Sequence, residues 1–220
     1  MSAEIIVRAT EVLQPRSRMS SATPGLHIPF NSRFLGESTK PSSRAAIFLD
    51  RDGVLVRDVH HLRRPSQIEL LPDVARLRSL QDRYHLIVAT NQSGIARRFF
   101  TEADLLEIHS ELVHQLAGRK LLVDAFYYCP HLPNAVDQAY RVACDCRKPS
   151  AGLLRRAAAD WDLDLGCSYM IGDSLRDVEA GRAAGLAESF LIGDPVGQAV
   201  TYRVVQNLSA AIDTILGGVA

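Results

Sequence analysis

The sequence predicts an α/β fold, a doubly wound parallel sheet of Rossmann-like type with helices on both faces. Three observations predict it. Short runs such as Ala46–Asp50 and Leu86–Thr90 are apolar almost throughout, as strands are when both faces of a sheet are covered. Stretches with helical spacing separate those runs, and this alternation is the pattern of crossover connections. Several runs end in a carboxylate, hydroxyl or amide close to a glycine, so polar side chains should collect at one end of the sheet. With 220 residues and 47% apolar content, the chain can build one well-buried core.

Taken in order, residues 1–44 carry Pro15, Pro24, Pro41 and many serines, with no period beyond a weak helical stretch at Ile5–Leu13. They are expected to form a disordered extension, and a single domain is expected over 45–220. The predicted strands are Ala46–Asp50, Leu86–Thr90, Asp124–Cys129, Ser168–Asp173 and Ser189–Ile192. Between them Asp73–Gln81, Glu102–Ala117, Ala151–Asp160 and Leu175–Ala184 have helical spacing. Thr101 with Asp104 makes a capping pair, and Ser150 can cap the following helix. A last helix starts near Ser209 and ends at Gly217. The connections are too short for an inserted domain, so no large cap is expected and the site should be open.

Composition excludes several classes of function. Lys and Arg total 25 and Asp and Glu total 25, so no global field draws a nucleic acid or an anionic membrane. No apolar run approaches the ~18 residues of a membrane span. The Ser-, Arg- and Pro-rich segment 12–44 loosely resembles a transit segment, but Glu4 and Glu11 at its front argue against targeting, as the lack of an apolar leader argues against export. Cys129, Cys144 and Cys146 cluster in one loop while Cys167 stands apart, a pattern of metal ligation in a reducing compartment. A cytoplasmic monomer is the expectation.

Four chain segments carry the chemistry. In Ile47-Phe48-Leu49-Asp50-Arg51-Asp52-Gly53, positions i and i+2 of an extended chain project to the same face, roughly 6–7 Å apart. Asp50 and Asp52 can therefore flank one phosphoryl group, and Gly53 lets the chain turn away. In Val88-Ala89-Thr90-Asn91-Gln92-Ser93-Gly94, Thr90 can donate to a phosphate oxygen and the N–H groups after it can form an anion nest. In Arg147-Lys148-Pro149, Lys148 can offset phosphate charge and Arg147 can clasp a substrate oxygen. In Met170-Ile171-Gly172-Asp173, Asp173 is placed to hold a hard cation such as Mg²⁺. Each signal alone is weak, since Asp-x-Asp recurs at Asp160-Trp161-Asp162-Leu163-Asp164, read as a solvated helix end. Together they specify a phosphoryl-transfer site.

Cys129-Pro130-His131, a twelve-residue spacer and Cys144-Asp145-Cys146 supply three thiolates and one imidazole, the donor set of a closed tetrahedral Zn²⁺ site. With every position taken by protein, the metal's expected role is structural. It would pin the loop that delivers Arg147 and Lys148.

This set resembles the haloacid dehalogenase-like phosphatases, and within them the D-glycero-D-manno-heptose 1,7-bisphosphate phosphatases. The resemblance rests on Phe-Leu-Asp-Arg-Asp-Gly at 48–53, Thr-Asn-Gln-Ser-Gly-Ile-Ala-Arg at 90–97, Tyr-Tyr-Cys-Pro-His at 127–131, Cys-Asp-Cys-Arg-Lys-Pro at 144–149 and Ser-Tyr-Met-Ile-Gly-Asp at 168–173. It implies a haloacid dehalogenase-type fold and hydrolysis of a small phosphorylated sugar. It also implies Asp50 as nucleophile, Asp52 as general acid and base, and Thr90 and Lys148 stabilising the transferring group. Mg²⁺ would be held by Asp50, the Asp52 carbonyl and Asp173, with Asp177 behind them. Asn91, Arg147, Asp58 and His61 are the expected substrate contacts. Two departures touch substrate recognition: Asp58-Val59-His60-His61 stands where the family has Asp-His-Gly-Tyr, and Ser174 where a lysine is common. Histidinol-phosphate phosphatase domains share the first motif and the zinc loop, with a shorter spacer. A non-catalytic zinc-stapled module is the alternative of another class.

Overall fold

The structure, a computed structural model, describes residues 44–194 and 202–217. The expected extension lies outside the described residues except for Arg44, whose carbonyl accepts from Asp164 N–H at 2.9 Å. Among the described residues six strands form one parallel sheet: β1 Ala46–Leu49, β2 His85–Asn91, β3 Ala125–Cys129, β4 Tyr169–Gly172, β5 Glu188–Ile192 and β6 Arg203–Val205. Four α-helices among the same residues accompany them: α1 Glu102–Gly118, α2 Gly152–Trp161, α3 Leu175–Ala184 and α4 Leu208–Gly217. The strand order is β3-β2-β1-β4-β5-β6. The chain thus winds outward from β1 in one direction, then returns to start again at β4.

Strand alternation decides which helix covers which face. Ile47, Leu49, Leu86 and Val88 point into a core shared with Ile108, Leu112 and Leu116 of α1 and Ala211, Ile212 and Ile215 of α4. Their neighbours Ala46, Phe48, Ile87 and Ala89 point the other way, against Leu153, Leu154 and Ala157 of α2 and Ala180 of α3. Every residue of β1 is buried, which is why its sequence shows no polar alternation.

The structure differs from the expectation at three elements. α2 has Ala151, not Ser150, as its N-cap, and no side chain caps it. Pro72–Leu80, expected as an α-helix over Asp73–Gln81, is a 3₁₀ helix. Its buried residues Val74, Leu77 and Leu80 recur every three positions, and a 3₁₀ helix, at three residues per turn, stacks such a row on one face. The sixth strand, β6, was not expected. Three residues cannot display a period, and its pairing with β5 supplies its definition. α1 begins as expected at Thr101, whose hydroxyl accepts from Asp104 N–H at 3.1 Å while the Asp104 carboxylate accepts from Thr101 N–H at 2.7 Å. Among the described residues the connections carry no large cap domain, and no helix is long and apolar enough to cross a membrane.

Candidate active site

The strand order places a crevice where β1 lies between β2 and β4, the position at which open α/β sheets bind ligands beyond their carboxyl ends. A polar pocket of about 410 Å³ opens there. It is lined by Asp50, Asp52, Asp58, His61, Thr90, Asn91, Arg147, Lys148 and Asp173 among others, so the structure brings all the sequence-predicted phosphoryl-site and substrate residues to one cavity.

The backbone of the first motif is tied down on both sides. Asp50 N–H donates to the Ile171 carbonyl of β4 at 3.0 Å, and Arg51 N–H donates to Asp50 Oδ1 at 2.7 Å. Gly53 has φ +76, and a Cβ there would sit 1.9 Å from Asp173 Oδ2. Only glycine lets the second carboxylate lie across the turn. Carboxylate oxygens of Asp50, Asp173 and Asp177 gather within 4.8 Å of one another. Loss of water and then the neighbouring Asp50 and Asp177 charges push Asp173 up to about 7. An all-oxygen donor set that repels itself in this way fits a hard divalent cation.

Lys148 is the cation the protein itself supplies. It is 1% exposed, and its Nζ lies 2.5 Å from Asp177 Oδ1, 3.2 Å from Asp50 Oδ1 and 2.6 Å from the Ala89 carbonyl. Burial alone would lower its pKa, but Asp177 and Asp50 together outweigh burial and leave it raised. The ammonium therefore stays charged. Asp177 also caps α3, accepting from Ser174 N–H at 3.0 Å, so one buried carboxylate fixes both the helix and the lysine. Asn91 positions the lysine's backbone: its Nδ2 donates to the Lys148 carbonyl and its Oδ1 accepts from Lys148 N–H, each at 3.0 Å. It lines the pocket as expected, but its amide is committed to Lys148.

Thr90 is buried, and its Oγ1 accepts from Gln92 Nε2 at 2.9 Å. With that lone pair occupied, its own O–H is left to donate. Gln92 Nε2 also lies 3.1 Å from Asp52 Oδ2, and Gln92 Oε1 accepts from Arg51 Nη2 at 3.1 Å. Arg51 and Gln92 had no expected role. Both sit inside the recognised motifs, but nothing local says that their side chains turn back toward Asp52.

Asp58 and His61 reach the pocket from the loop after the first motif. Asp58 Oδ1 accepts from His60 N–H at 2.7 Å, and His60 holds φ +64. The His61 ring stands edge-on to Phe99 with centroids 5.0 Å apart, and the Arg63 guanidinium lies 4.3 Å over the Phe99 ring. Partial burial, then Arg97 and Arg63, lower the His61 pKa. Phe99 is a contact that sequence reasoning missed, because its partner loop is nearly forty residues away.

The cysteine loop lies next door, since Asn91 of β2 pairs with Cys129 of β3. Cys129 Sγ lies 3.6 Å from His131 Nδ1, 3.6 Å from Cys144 Sγ and 3.2 Å from Cys146 Sγ, and His131 Nδ1 lies 3.3 Å from Cys146 Sγ. A tetrahedron with metal–sulfur bonds of ~2.3 Å has edges of ~3.8 Å, so the four donors are near the spacing that one Zn²⁺ requires. The sulfur separations exceed a disulfide bond, and the cysteines are free. The hydrogen bond with Cys129, then burial, push the Cys146 thiol up. The loop also holds the pocket wall. Arg147 Nη1 donates to the His131 carbonyl at 3.1 Å, and Asp137 N–H donates to the Ala96 carbonyl at 3.0 Å. Cys167 is exposed and outside this group.

Known proteins place this arrangement. A family profile described as HAD-hydrolase-like matches residues 145–198. The chain is 35% identical over 171 residues to a D-glycero-beta-D-manno-heptose-1,7-bisphosphate 7-phosphatase of Rhodopseudomonas palustris, covering 77% of this chain and 95% of that one. It is 34% identical over 170 residues to the D-glycero-alpha-D-manno-heptose-1,7-bisphosphate 7-phosphatase of Campylobacter jejuni, covering 76% and 94%. The crystal structure of D,D-heptose 1,7-bisphosphate phosphatase from B. bronchiseptica, complexed with magnesium and phosphate, superposes with a TM-score of 0.68 at 34% identity, covering 79% of this chain and 99% of that one. With this extent of likeness in sequence and fold, the chain belongs to the heptose-1,7-bisphosphate phosphatase family of haloacid dehalogenase-like hydrolases.

Proposed function

We propose that this protein is a phosphoric monoester hydrolase that removes a phosphate from D-glycero-D-manno-heptose 1,7-bisphosphate to leave the heptose 1-phosphate. The observation that carries the reading is the meeting of Asp50, Asp52, Thr90, Lys148 and Asp173 around one pocket. Asp50 attacks phosphorus in line, and the P–O bond to the sugar breaks as Asp52 hands its proton to the departing oxygen. Asp52 then takes a proton from the water that cleaves the aspartyl-phosphate. Thr90 donates to a phosphoryl oxygen, and Lys148 offsets its charge. Asp50, the Asp52 carbonyl and Asp173 would hold Mg²⁺, which supplies charge neutralisation between carboxylate and phosphate when bound. The cysteine loop would hold a structural Zn²⁺ through Cys129, His131, Cys144 and Cys146.

Arg147 and Arg176 line the same pocket and have no carboxylate partner among the described residues. They support a substrate with a second anionic group, which favours a bisphosphate over histidinol phosphate. Four free thiols suit the reducing cytoplasm. The test is a comparison of kcat/KM for both heptose bisphosphate anomers and histidinol phosphate, with Asp50→Asn as control. A clear preference for histidinol phosphate would overturn the substrate, and undiminished turnover by Asp50→Asn would overturn the nucleophile.

A further inference from the structure

Arg51 is the largest fully buried side chain among the described residues, 1% exposed, at a position where a strand is already turning into the pocket. A guanidinium has five N–H donors and cannot shed its charge, so its partners define what it does. Three of its bonds converge on the carboxylate next to it in sequence, and a fourth goes to Gln92. Nη2 reaches Asp52 Oδ1 at 2.9 Å and Oδ2 at 2.8 Å, Nε reaches Oδ1 at 3.2 Å, and Nη2 also reaches Gln92 Oε1 at 3.1 Å. Gln92 completes the enclosure through its 3.1 Å bond to Asp52 Oδ2. Asp52 itself is 25% exposed toward the pocket.

Behind the guanidinium lies His109 of α1, 3% exposed and stacked on Phe126 at 4.6 Å. Its Nε2 sits 3.5 Å from Arg51 Nη1. Arg51 can only donate, so Nε2 must accept and the ring proton belongs on Nδ1, which has no hydrogen-bond partner among the described residues. Burial first, then the Arg51 charge, hold His109 well below its ordinary pKa. The ring is thus a neutral seat that closes the back of the guanidinium's cavity.

We propose that Arg51 is a positioning residue for the proton-transfer step: seated on His109 and joined by Gln92, it aims the Asp52 carboxylate at the leaving-group oxygen. The inference rests on the phosphatase reading of the site. It assigns to Arg51 no contact with substrate. Its effect must therefore appear in chemistry that needs the Asp52 proton, and little elsewhere. A sugar oxygen leaves only if Asp52 protonates it as the P–O bond breaks. A p-nitrophenolate leaves without a proton while Asp50 takes the same phosphoryl group.

The experiment uses the full chain with Mg²⁺ and compares pre-steady-state release of sugar and of p-nitrophenol in Arg51→Gln, Arg51→Lys and Asp50→Asn. In Arg51→Gln, sugar release should slow on the order of 10²-fold, the cost of a mis-aimed acid, with KM nearly unchanged. The p-nitrophenol burst should slow only several-fold. Arg51→Lys should recover a part of the loss, since an ammonium cannot hold both carboxylate oxygens. If Arg51→Gln does not fold, His109→Leu carries the test, since it removes only the bond behind the guanidinium, with the same substrate asymmetry and a loss on the order of tenfold, that of one hydrogen bond. Equal losses on both substrates, or no loss in a folded variant, would overturn the proposal. Turnover in Asp50→Asn would instead overturn the reading of the site, so the two failures are distinguishable.

Discussion

Removing the Lys148 ammonium tests whether stability and catalysis share one buried charge. In Lys148→Met the Asp177 carboxylate, 1% exposed, loses a partner 2.5 Å away, and Asp50 loses one at 3.2 Å. Breaking a buried pair from one side costs about 3–5 kcal/mol, because an uncompensated charge remains. At 2–4 °C per kcal/mol for a chain of this size, Tm without added Mg²⁺ should fall by about 6–20 °C. Turnover should fall at least about 10²-fold, as when a transition-state donor is deleted. The double variant Lys148→Met/Asp177→Asn removes the orphaned charge and keeps an oxygen to cap Ser174 N–H. Its Tm should return most of the way while its activity stays lost. Differential scanning calorimetry with a phosphate-release assay reads both. A Tm loss below about 3 °C in the single variant, or a double variant no more stable than the single, would refute the buried-pair account.

Other outcomes follow from the same geometry. Gly53→Ala places a Cβ 1.9 Å from Asp173 Oδ2 at φ +76. The fold should lose roughly 1–2 kcal/mol from backbone strain, and the Tm gain on adding Mg²⁺, measured by thermal shift, should vanish with Asp173 displaced. Asn91→Ala removes both bonds that hold the Lys148 backbone. Steady-state kinetics should show kcat falling about tenfold, with KM changed little. Chelation of the Cys129, His131, Cys144 and Cys146 site should lower both Tm and kcat, and Zn²⁺ should restore them where Mg²⁺ does not. Cys144→Ser should reproduce the chelated state.

Much of this was legible in the chain because strand and helix periods are local. Ala46–Leu49 had to be a covered strand, since four consecutive apolar residues leave no polar face, and Thr101 with Asp104 had to start a helix because the cap is made within four residues. Asp50, Thr90, Cys129 and Asp173 could be placed at strand ends for the same reason. Strand ends in a parallel sheet point one way.

What tertiary structure alone decided is how the side chains pair once they arrive. Lys148 finds Asp177 only because β1 lies between β2 and β4. Arg51 doubles back onto Asp52 because His109, brought from α1, closes the space behind it. Phe99 meets His61, and β6 exists at all, through contacts that no window of neighbouring residues contains. Periodicity reports which face a residue presents. Partners across the fold depend on crossovers and on which buried charges must be satisfied together, and those terms are set only when the sheet closes.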